Sequence, residues 1–252
     1  MFTTIFYQPI FNLFVALYNV LPGHDAGIVI IVITLLVRAV LYPFYRSQVK
    51  AQKAMQDLQP KLNAIKDQYA NDKEKQAKAM MDVYKEHKVN PFSSCLPLLI
   101  QLPIFIAVYQ VLRDGLTKTS SFDLLYSFVT KPDMINHMFF GILDLSQRSI
   151  VLAILAGLAQ FWQGKMLFAK RPDPALRKEK EAKDEDTMAI MNKQMMYIMP
   201  AMITFIGISL PSGLALYWLI STLFMVAQQY IAFREKTPGI TKVDDKTDVI
   251  AK

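Results

Sequence analysis

Cysteine and histidine are scarce in this chain of 252 residues, and their scarcity excludes several kinds of site. The single cysteine, Cys95, excludes an internal disulfide and a cysteine-rich metal site. The three histidines, at positions 24, 87 and 137, are far apart and show no metal-ligand spacing. A glycine-rich phosphate loop and an HExxH pair are also missing. We therefore predict no cofactor, no metal and no enzymatic activity.

Acidic residues are absent from four long apolar stretches, in which Arg38 is the one charged residue. They run over residues 26–45, 91–112, 149–164 and 194–233. A helix rises about 1.5 Å per residue, so about 20 apolar residues cross a bilayer core of about 30 Å. The last stretch is twice that length, and Pro211-Ser212-Gly213 divides it in two. Membrane stretches without Asp or Glu argue against a proton relay or a cation-coupled transporter.

These patterns predict an all-α membrane protein with five transmembrane helices. The predicted segments are an outer interfacial amphipathic helix over 1–24, a first span over 25–46, a cytoplasmic helical hairpin over 47–90, a second span over 91–113, an outer loop over 114–147, a third span over 148–169, a cytoplasmic loop over 170–192, a fourth span over 193–210, a fifth span over 213–234 and a cytoplasmic tail over 235–252. A sixth span over residues 1–21 is the alternative to the interfacial helix.

Positive charge sets the predicted orientation. Ten Lys and Arg lie in 46–90, seven in 170–193 and five after residue 233, against four in 113–148 and none in 1–25. Because Lys and Arg concentrate in cytoplasmic segments, the N-terminus is predicted outside and the C-terminus in the cytosol. The net charge of +7 therefore indicates topology rather than nucleic-acid recognition.

Arg38 is the one charged residue between Asp25 and Arg46. It lies about 12 Å of helix before Arg46, too deep for an end anchor, and a guanidinium there costs roughly 2.5–3.5 kcal/mol on insertion scales. Such a residue usually faces protein or water, although some boundary arginines only extend to the interface. We interpret Arg38 as a functional residue that faces a groove.

Uncharged polar residues accompany Arg38 in the predicted spans. The amides are Gln101, Gln160, Gln163, Gln228 and Gln229, and the hydroxyls are Thr34, Ser209, Ser221 and Thr222. Each one alone is as well explained by hydrogen bonds between helices. Together with Arg38 they indicate a wet polar cavity. The adjacent Tyr217 and Trp218 belong either to an interfacial aromatic belt or to a wall of that cavity.

The predicted hairpin has an apolar seam. Met55, Leu58, Leu62, Ile65 and Tyr69 follow the 3-4-3-4 spacing of a coiled coil. A self-packed hairpin and a mobile arm that contacts a partner explain this pattern equally well.

The chain resembles the YidC/Oxa/Alb membrane insertases in four motifs that follow one another in the same order as in that family. Arg38 matches the groove arginine of the family's first core span. Residues 58–61 and 84–91 resemble its hairpin, 95–105 its second core span and 210–218 the turn into its fifth. The similarity covers about residues 5–235.

The resemblance implies a hydrophilic groove, closed outside and open to cytosol and lipid, in a bacterial inner membrane protein. It places Gln163, Gln160 and Trp218 at the groove. Gln101 and Tyr217, which the polar and aromatic residues of the spans indicate, are the further predicted lining residues. It implies nascent membrane proteins and the lipid bilayer as partners, and leaves the Sec translocon and the ribosome open. A short, nearly charge-balanced tail argues against ribosome docking through it. A small-solute or anion transporter and an assembly scaffold without insertase activity are the alternatives.

Cysteine accessibility tests the charge-based topology. Cysteines introduced singly at Ala70 and Lys180 should react with an impermeant reagent from the cytosol, and one at Thr130 should react from outside. Labelling of position 70 from outside would reverse the orientation.

Overall fold

A computed structural model of the chain describes residues 1–87, 89–90, 96–115, 119–168 and 194–234. These residues are mostly helical, as predicted. Their strands form one short antiparallel pair, Met138–Phe139 (β1) with Leu143–Asp144 (β2). The predicted loop over 170–192 and tail over 235–252 lie outside the described residues.

Eight α-helices follow one another in the part of the chain that the structure describes. They are Gln8–Val20 (α1), Ala26–Val40 (α2), Tyr42–Gln68 (α3), Lys73–Glu86 (α4), Leu96–Gln110 (α5), Ile150–Phe168 (α6), Met199–Ser209 (α7) and Ser212–Arg234 (α8). Short π-helical turns precede α1 (Thr3–Tyr7), follow α5 (Val111–Gly115) and precede α7 (Gln194–Ile198). A 3-10 helix covers Thr119–Leu124.

The helices differ in their capacity to cross a bilayer. Among the described residues, Ser212–Ala232 is the one helix that is long and apolar enough alone. Ala26–Val40 and Tyr42–Met55 reach that length together but are bent by 71° where they meet. Ile150–Met166 and Met196–Ser209 are apolar and shorter. The five-span topology therefore stays a prediction.

Helix α8 lies at the centre of the bundle and packs against α2, α3 and α6, while α7 packs on α6. Gly213 permits the close approach at its start, since a Cβ there would come within 3.3 Å of Ile30 and 3.4 Å of Leu112. Leu214 and Tyr217 continue the buried face of α8 into the main apolar core, which also includes Phe11 of α1. This packing places α8 beside α2, which carries Arg38, and α6, which carries Gln160 and Gln163.

The bend between α2 and α3 decides where the first polar residues lie. Leu41 leaves helical geometry with φ −87° and ψ 5°, and Pro43 follows within the first turn of α3. A residue before proline avoids α-helical backbone angles, so Tyr42-Pro43 favours a helix boundary here. Helix α3 then continues unbroken to Gln68. The helix boundary therefore falls at Leu41, inside the stretch predicted as a single span over 25–46.

The hairpin of α3 and α4 buries the predicted seam. Met55, Leu58, Leu62 and Ile65 of α3 pack with Val83 and Tyr84 of α4 in a small apolar cluster of their own. Asp72 caps α4 by accepting a hydrogen bond from the Lys75 amide at 3.0 Å. The hairpin is thus a self-packed unit that α3 joins directly to the bundle.

Helix α1 is held against the segment before β1 by side chains that satisfy loop backbone groups. Asn12, buried in the apolar stretch, donates to the Leu124 carbonyl at 3.0 Å and accepts from the Tyr126 amide at 2.6 Å. The Tyr18 hydroxyl accepts from the Asn136 amide at 2.7 Å. Polar residues that interrupt the first 21 positions therefore anchor the helix to the predicted outer loop.

Substitution of Asn12 tests this anchor. Asn12→Ala leaves the Tyr126 amide and the Leu124 carbonyl without this partner, which should lower stability by roughly 1–3 kcal/mol. Asn19→Ala, which removes one exposed bond to the Thr130 carbonyl, is the matched control and should cost less. The measurement is thermal unfolding in detergent. Equal losses of stability in the two variants would show that Asn12 does not anchor helix α1.

Candidate functional site

Arg38 is buried near the end of α2, with 3 % of its surface exposed. Its guanidinium carbon lies 4.5 Å from the centroid of the Tyr45 ring, a cation–π distance. Its Nη1 atom is buried and has no hydrogen-bond partner among the described residues. No carboxylate in those residues pairs with it, so the positive charge is stabilised by neutral groups alone.

A chain of hydrogen bonds runs beside this cation from α3 to α8. The Tyr45 hydroxyl donates to Gln101 Oε1 at 3.3 Å, and Gln101 Nε2 donates to the Tyr217 hydroxyl at 2.5 Å. We call Arg38, Tyr45, Gln101 and Tyr217 the arginine cluster.

The arginine cluster joins four helices through side chains that carry no negative charge. Arg38 belongs to α2, Tyr45 to α3, Gln101 to α5 and Tyr217 to α8. The three neutral partners offer aromatic faces, hydroxyls and an amide. A positive charge kept in such surroundings attracts a carboxylate strongly, since the low local dielectric weakens the attraction far less than water would.

The two predicted glutamines of α6 form a separate pair. Gln160 Nε2 donates to Gln163 Oε1 at 2.7 Å, across one turn of the helix. Gln163 is buried, and its Nε2 contacts the Met225 sulfur of α8. The pair therefore faces α8, one helix away from Arg38, and no hydrogen bond of these two residues reaches the arginine cluster. Their part in a groove stays a prediction.

Trp218 stands on a different side of α8 from its neighbour Tyr217. Its ring meets Phe105 edge to face, with the ring centroids 5.1 Å apart. Together with Ala156, Ile203 and Gly207 it lines a small apolar recess among α6, α7 and α8. Tyr217 and Trp218 were interpreted together, as a belt or as one wall of a cavity. In the structure Tyr217 joins the arginine cluster, and Trp218 lines the recess.

The predicted hydroxyls fall into two groups. Thr34 donates to the Ile30 carbonyl at 2.6 Å and Ser209 to the Phe205 carbonyl at 3.2 Å, ordinary bonds to the preceding turn. Ser221 and Thr222 are both buried on α8. Ser221 lies one turn beyond Tyr217 on α8 and extends the polar side of that helix.

Tyr45, Gln48 and Gln52 were not among the predicted site residues, although the spacing of Tyr45 and Gln52 from Arg38 is a signal in the sequence. Tyr45 follows Arg38 by seven residues, and Gln52 follows Tyr45 by seven. Such a heptad spacing places residues on one face of a helix. The interpretation of residues from 47 onward as a hairpin outside the membrane hid Gln48 and Gln52, whereas Tyr45 lay at the end of the predicted first span.

The chain matches a known protein family over most of its length. A family described as "60Kd inner membrane protein" matches residues 16–239. That range contains the whole arginine cluster and the Gln160–Gln163 pair.

Individual relatives carry the name "Membrane protein insertase YidC". The protein of Fusobacterium nucleatum is 37% identical over 209 residues, which cover 83% of this chain and 86% of the relative. That of Aeromonas salmonicida is 34% identical over 214 residues, covering 84% of this chain and 33% of the relative. That of Streptomyces avermitilis is 30% identical over 249 residues, covering 90% of this chain and 56% of the relative. The chain therefore spans about one third to one half of the longer relatives.

Gln101→Leu tests the hydrogen-bond chain. The substitution keeps the side-chain volume but leaves the buried hydroxyls of Tyr45 and Tyr217 without their shared partner. Each unsatisfied group should cost roughly 1–3 kcal/mol, measured by thermal unfolding in detergent. Gln110→Leu, at the end of the same helix, is the control and should change stability little. Unchanged stability of Gln101→Leu would show that the two bonds contribute nothing.

Proposed function

This chain belongs to the 60Kd inner membrane protein family, and we propose that it is an insertase that moves nascent membrane proteins from the cytosol into the lipid bilayer. The observation that carries the proposal is Arg38, a buried cation with neutral partners. A structural arginine at this depth would ordinarily be paired with a carboxylate. Here no carboxylate among the described residues neutralises the positive charge, so it can attract a polar segment of a client.

The proposed mechanism lowers the barrier to moving polar groups part of the way across the membrane. Burying a polar group without a partner costs several kcal/mol, and burying a charge costs more. The arginine cluster replaces part of the hydration that the client's outer segment loses. Arg38 adds long-range attraction for acidic residues in that segment. Covalent chemistry is not required for this work.

The hydropathy of the client's own helix sets the direction in which the client moves. Once the outer segment has moved past residue 38, the apolar helix of the client partitions into lipid, which is favourable because apolar surface leaves water. The energy of this step comes from the client rather than from a bound nucleotide. Insertion by this route therefore requires a groove that is open sideways to lipid as well as to the cytosol.

Five spans around that groove are part of the proposal. The length and hydropathy of α8, the bent pair of α2 and α3, and the shorter apolar helices α6 and α7 support this arrangement. The distribution of Lys and Arg supports an outer N-terminus and a cytosolic C-terminus. The α3–α4 hairpin then lies in the cytosol, at the side from which clients arrive. Contacts with a Sec translocon or a ribosome would fall on this side.

Substitution of Arg38 tests the electrostatic role. Arg38→Lys should keep much of the activity, because lysine supplies the charge without the planar fork. Arg38→Ala should impair clients with acidic outer segments more than clients with neutral ones. The measurement is protease protection of client tails after insertion into liposomes that contain the purified protein. Arg46→Ala, an exposed arginine eight residues further on, is the matched control.

The abundance and folding of each variant decide between mechanism and structure. Arg38→Ala should stay folded, since removal of a costly buried cation need not destabilise a bundle. Equal loss for acidic and neutral clients would refute the electrostatic mechanism. Loss of the folded protein would favour a scaffold in which Arg38 is structural. Wild-type liposomes that insert no client would refute the insertase itself.

A further inference from the structure

The β-hairpin formed by β1 and β2 presents large apolar side chains at its turn. The two strands are joined through Phe140, Gly141 and Ile142, and residues 138–143 carry no charge. Phe140 is 66 % exposed and Ile142 86 %. The Phe140 ring touches the ring of Phe139, with the centroids 4.5 Å apart, and this contact leaves most of Phe140 uncovered. The β-hairpin is thus folded with an apolar tip outward.

Phe140 has a backbone conformation that suits other residues better. The Ile142 amide donates to the Phe139 carbonyl at 3.0 Å and closes a turn whose two central residues, Phe140 and Gly141, have φ angles of 51° and 68°. A turn with two positive φ angles favours Asn followed by Gly, since a bulky side chain is strained there. Phe140 therefore adds strain and gains little burial within the protein. The stability of the β-hairpin alone does not explain a phenylalanine at this position.

Asp25 fixes the position of the turn. Its Oδ2 accepts a hydrogen bond from the Phe140 amide at 2.5 Å. Its Oδ1 caps α2 by accepting from the Gly27 amide at 2.8 Å and the Ile28 amide at 3.0 Å. The Phe139 ring lies directly over Gly27, where a Cβ would overlap it. The exposed tip is therefore mounted on the first turn of α2.

The end of the β-hairpin is attached to a second apolar helix. The Ser212 hydroxyl donates to the Asp144 carbonyl at 3.0 Å, and the Ser212 amide donates to the Gln147 carbonyl at 2.8 Å. Ser212 begins α8, the one described helix that is long and apolar enough to cross a bilayer alone, and α2 begins directly after Asp25. Both attachments lie where an apolar helix begins, so the tip is held at the level where those helices would enter a bilayer.

This level selects the partner of the apolar tip. The boundary between lipid headgroups and acyl chains takes up aromatic and aliphatic side chains of elements that lie at the membrane surface. Because the Phe140 amide is bonded to Asp25, the turn enters this boundary without exposing that donor to lipid. The lack of charge over residues 138–143 removes the cost of bringing an ion against acyl chains.

We propose that Phe140 and Ile142 insert into the headgroup–acyl boundary of the outer leaflet and anchor the outer ends of α2 and α8 there. The contact is with lipid and not with a client. Since Arg38 follows Asp25 by 13 residues, about 20 Å of helix, this anchor also sets the depth of that cation in the bilayer. The inference uses the proposed orientation but not the insertase activity.

Quenchers carried by lipids test the insertion. A fluorophore is attached to Ile142→Cys, in a chain whose Cys95 is replaced by serine, and the purified full chain is placed in liposomes. A quencher on the acyl chain close to the headgroup should remove most of the fluorescence, and one at the end of the acyl chain should remove little. Ala70→Cys, at the exposed turn between α3 and α4, is the matched control and should lose little with either quencher. Fluorescence at position 142 that survives the shallow quencher would overturn the inference.

Phe140→Asn separates contact with lipid from packing within the protein. Asparagine suits this turn, so the thermal midpoint in detergent should be unchanged or higher. The shallow quencher should remove less fluorescence from the label at position 142, because the aromatic anchor is gone. A lower midpoint would show that Phe140 is a packing residue and would refute the anchor. Quenching as strong as in the parent chain would refute it too.

The ratio of protein to lipid separates a lipid partner from a second copy of the chain. Quenching at position 142 should stay the same as this ratio is lowered. Quenching that rises on dilution would show that a second copy covers the tip, and the lipid anchor would be wrong. Protease protection of an acidic client in the same liposomes reports on the insertase separately. A quenched tip without insertion leaves the anchor standing and refutes the function, and insertion with an unquenched tip does the reverse.

Discussion

The burial of Arg38 without a carboxylate partner among the described residues is the constraint on which the central packing depends. A charge removed from water is costly unless other groups solvate it, and here neutral groups must do so. The Tyr45 ring supplies its face at 4.5 Å, and the hydroxyls of Tyr45 and Tyr217 are held by Gln101. Because these residues come from α2, α3, α5 and α8, one side chain requires four helices to meet.

The 71° bend at Leu41 makes that meeting possible. On a straight helix Arg38 and Tyr45 would share a face but lie two turns apart, about 10.5 Å along the axis. The bend shortens the separation and brings the ring under the guanidinium. It also directs α3 across the end of α8, where Gln52 approaches Gln229. A single helix break therefore places Tyr45 against Arg38 and attaches the hairpin to the bundle.

Features set by local sequence could be predicted, and features set by the bend could not. The isolation of Arg38, the hairpin seam at Met55, Leu58, Leu62 and Ile65, and the Pro211-Ser212-Gly213 turn depend on neighbours in the chain, and the structure has all three. Tyr45 becomes a partner of Arg38 only through the bend, which Pro43 signals but whose angle depends on packing. Asn12 is similar. The sequence shows that Asn12 interrupts an apolar stretch, but its hydrogen-bond partners lie 112 and 114 residues away and follow only from the fold.

The arginine cluster combines a charged group with neutral groups that attract a client more weakly, and this combination suits transport. A site that lowers a barrier must not become a trap, so its hold on the client has to be weak enough for release into lipid. Each neutral amide bond exchanges with water at a net gain of only about 0.5–1.5 kcal/mol. Arg38 attracts more strongly, but its cation–π contact and its hydroxyl neighbours already stabilise the guanidinium and so reduce the gain from binding a carboxylate. A carboxylate partner within the protein would reduce that gain much further. The absence of one among the described residues keeps Arg38 between these extremes, attractive to a client and still able to let it go.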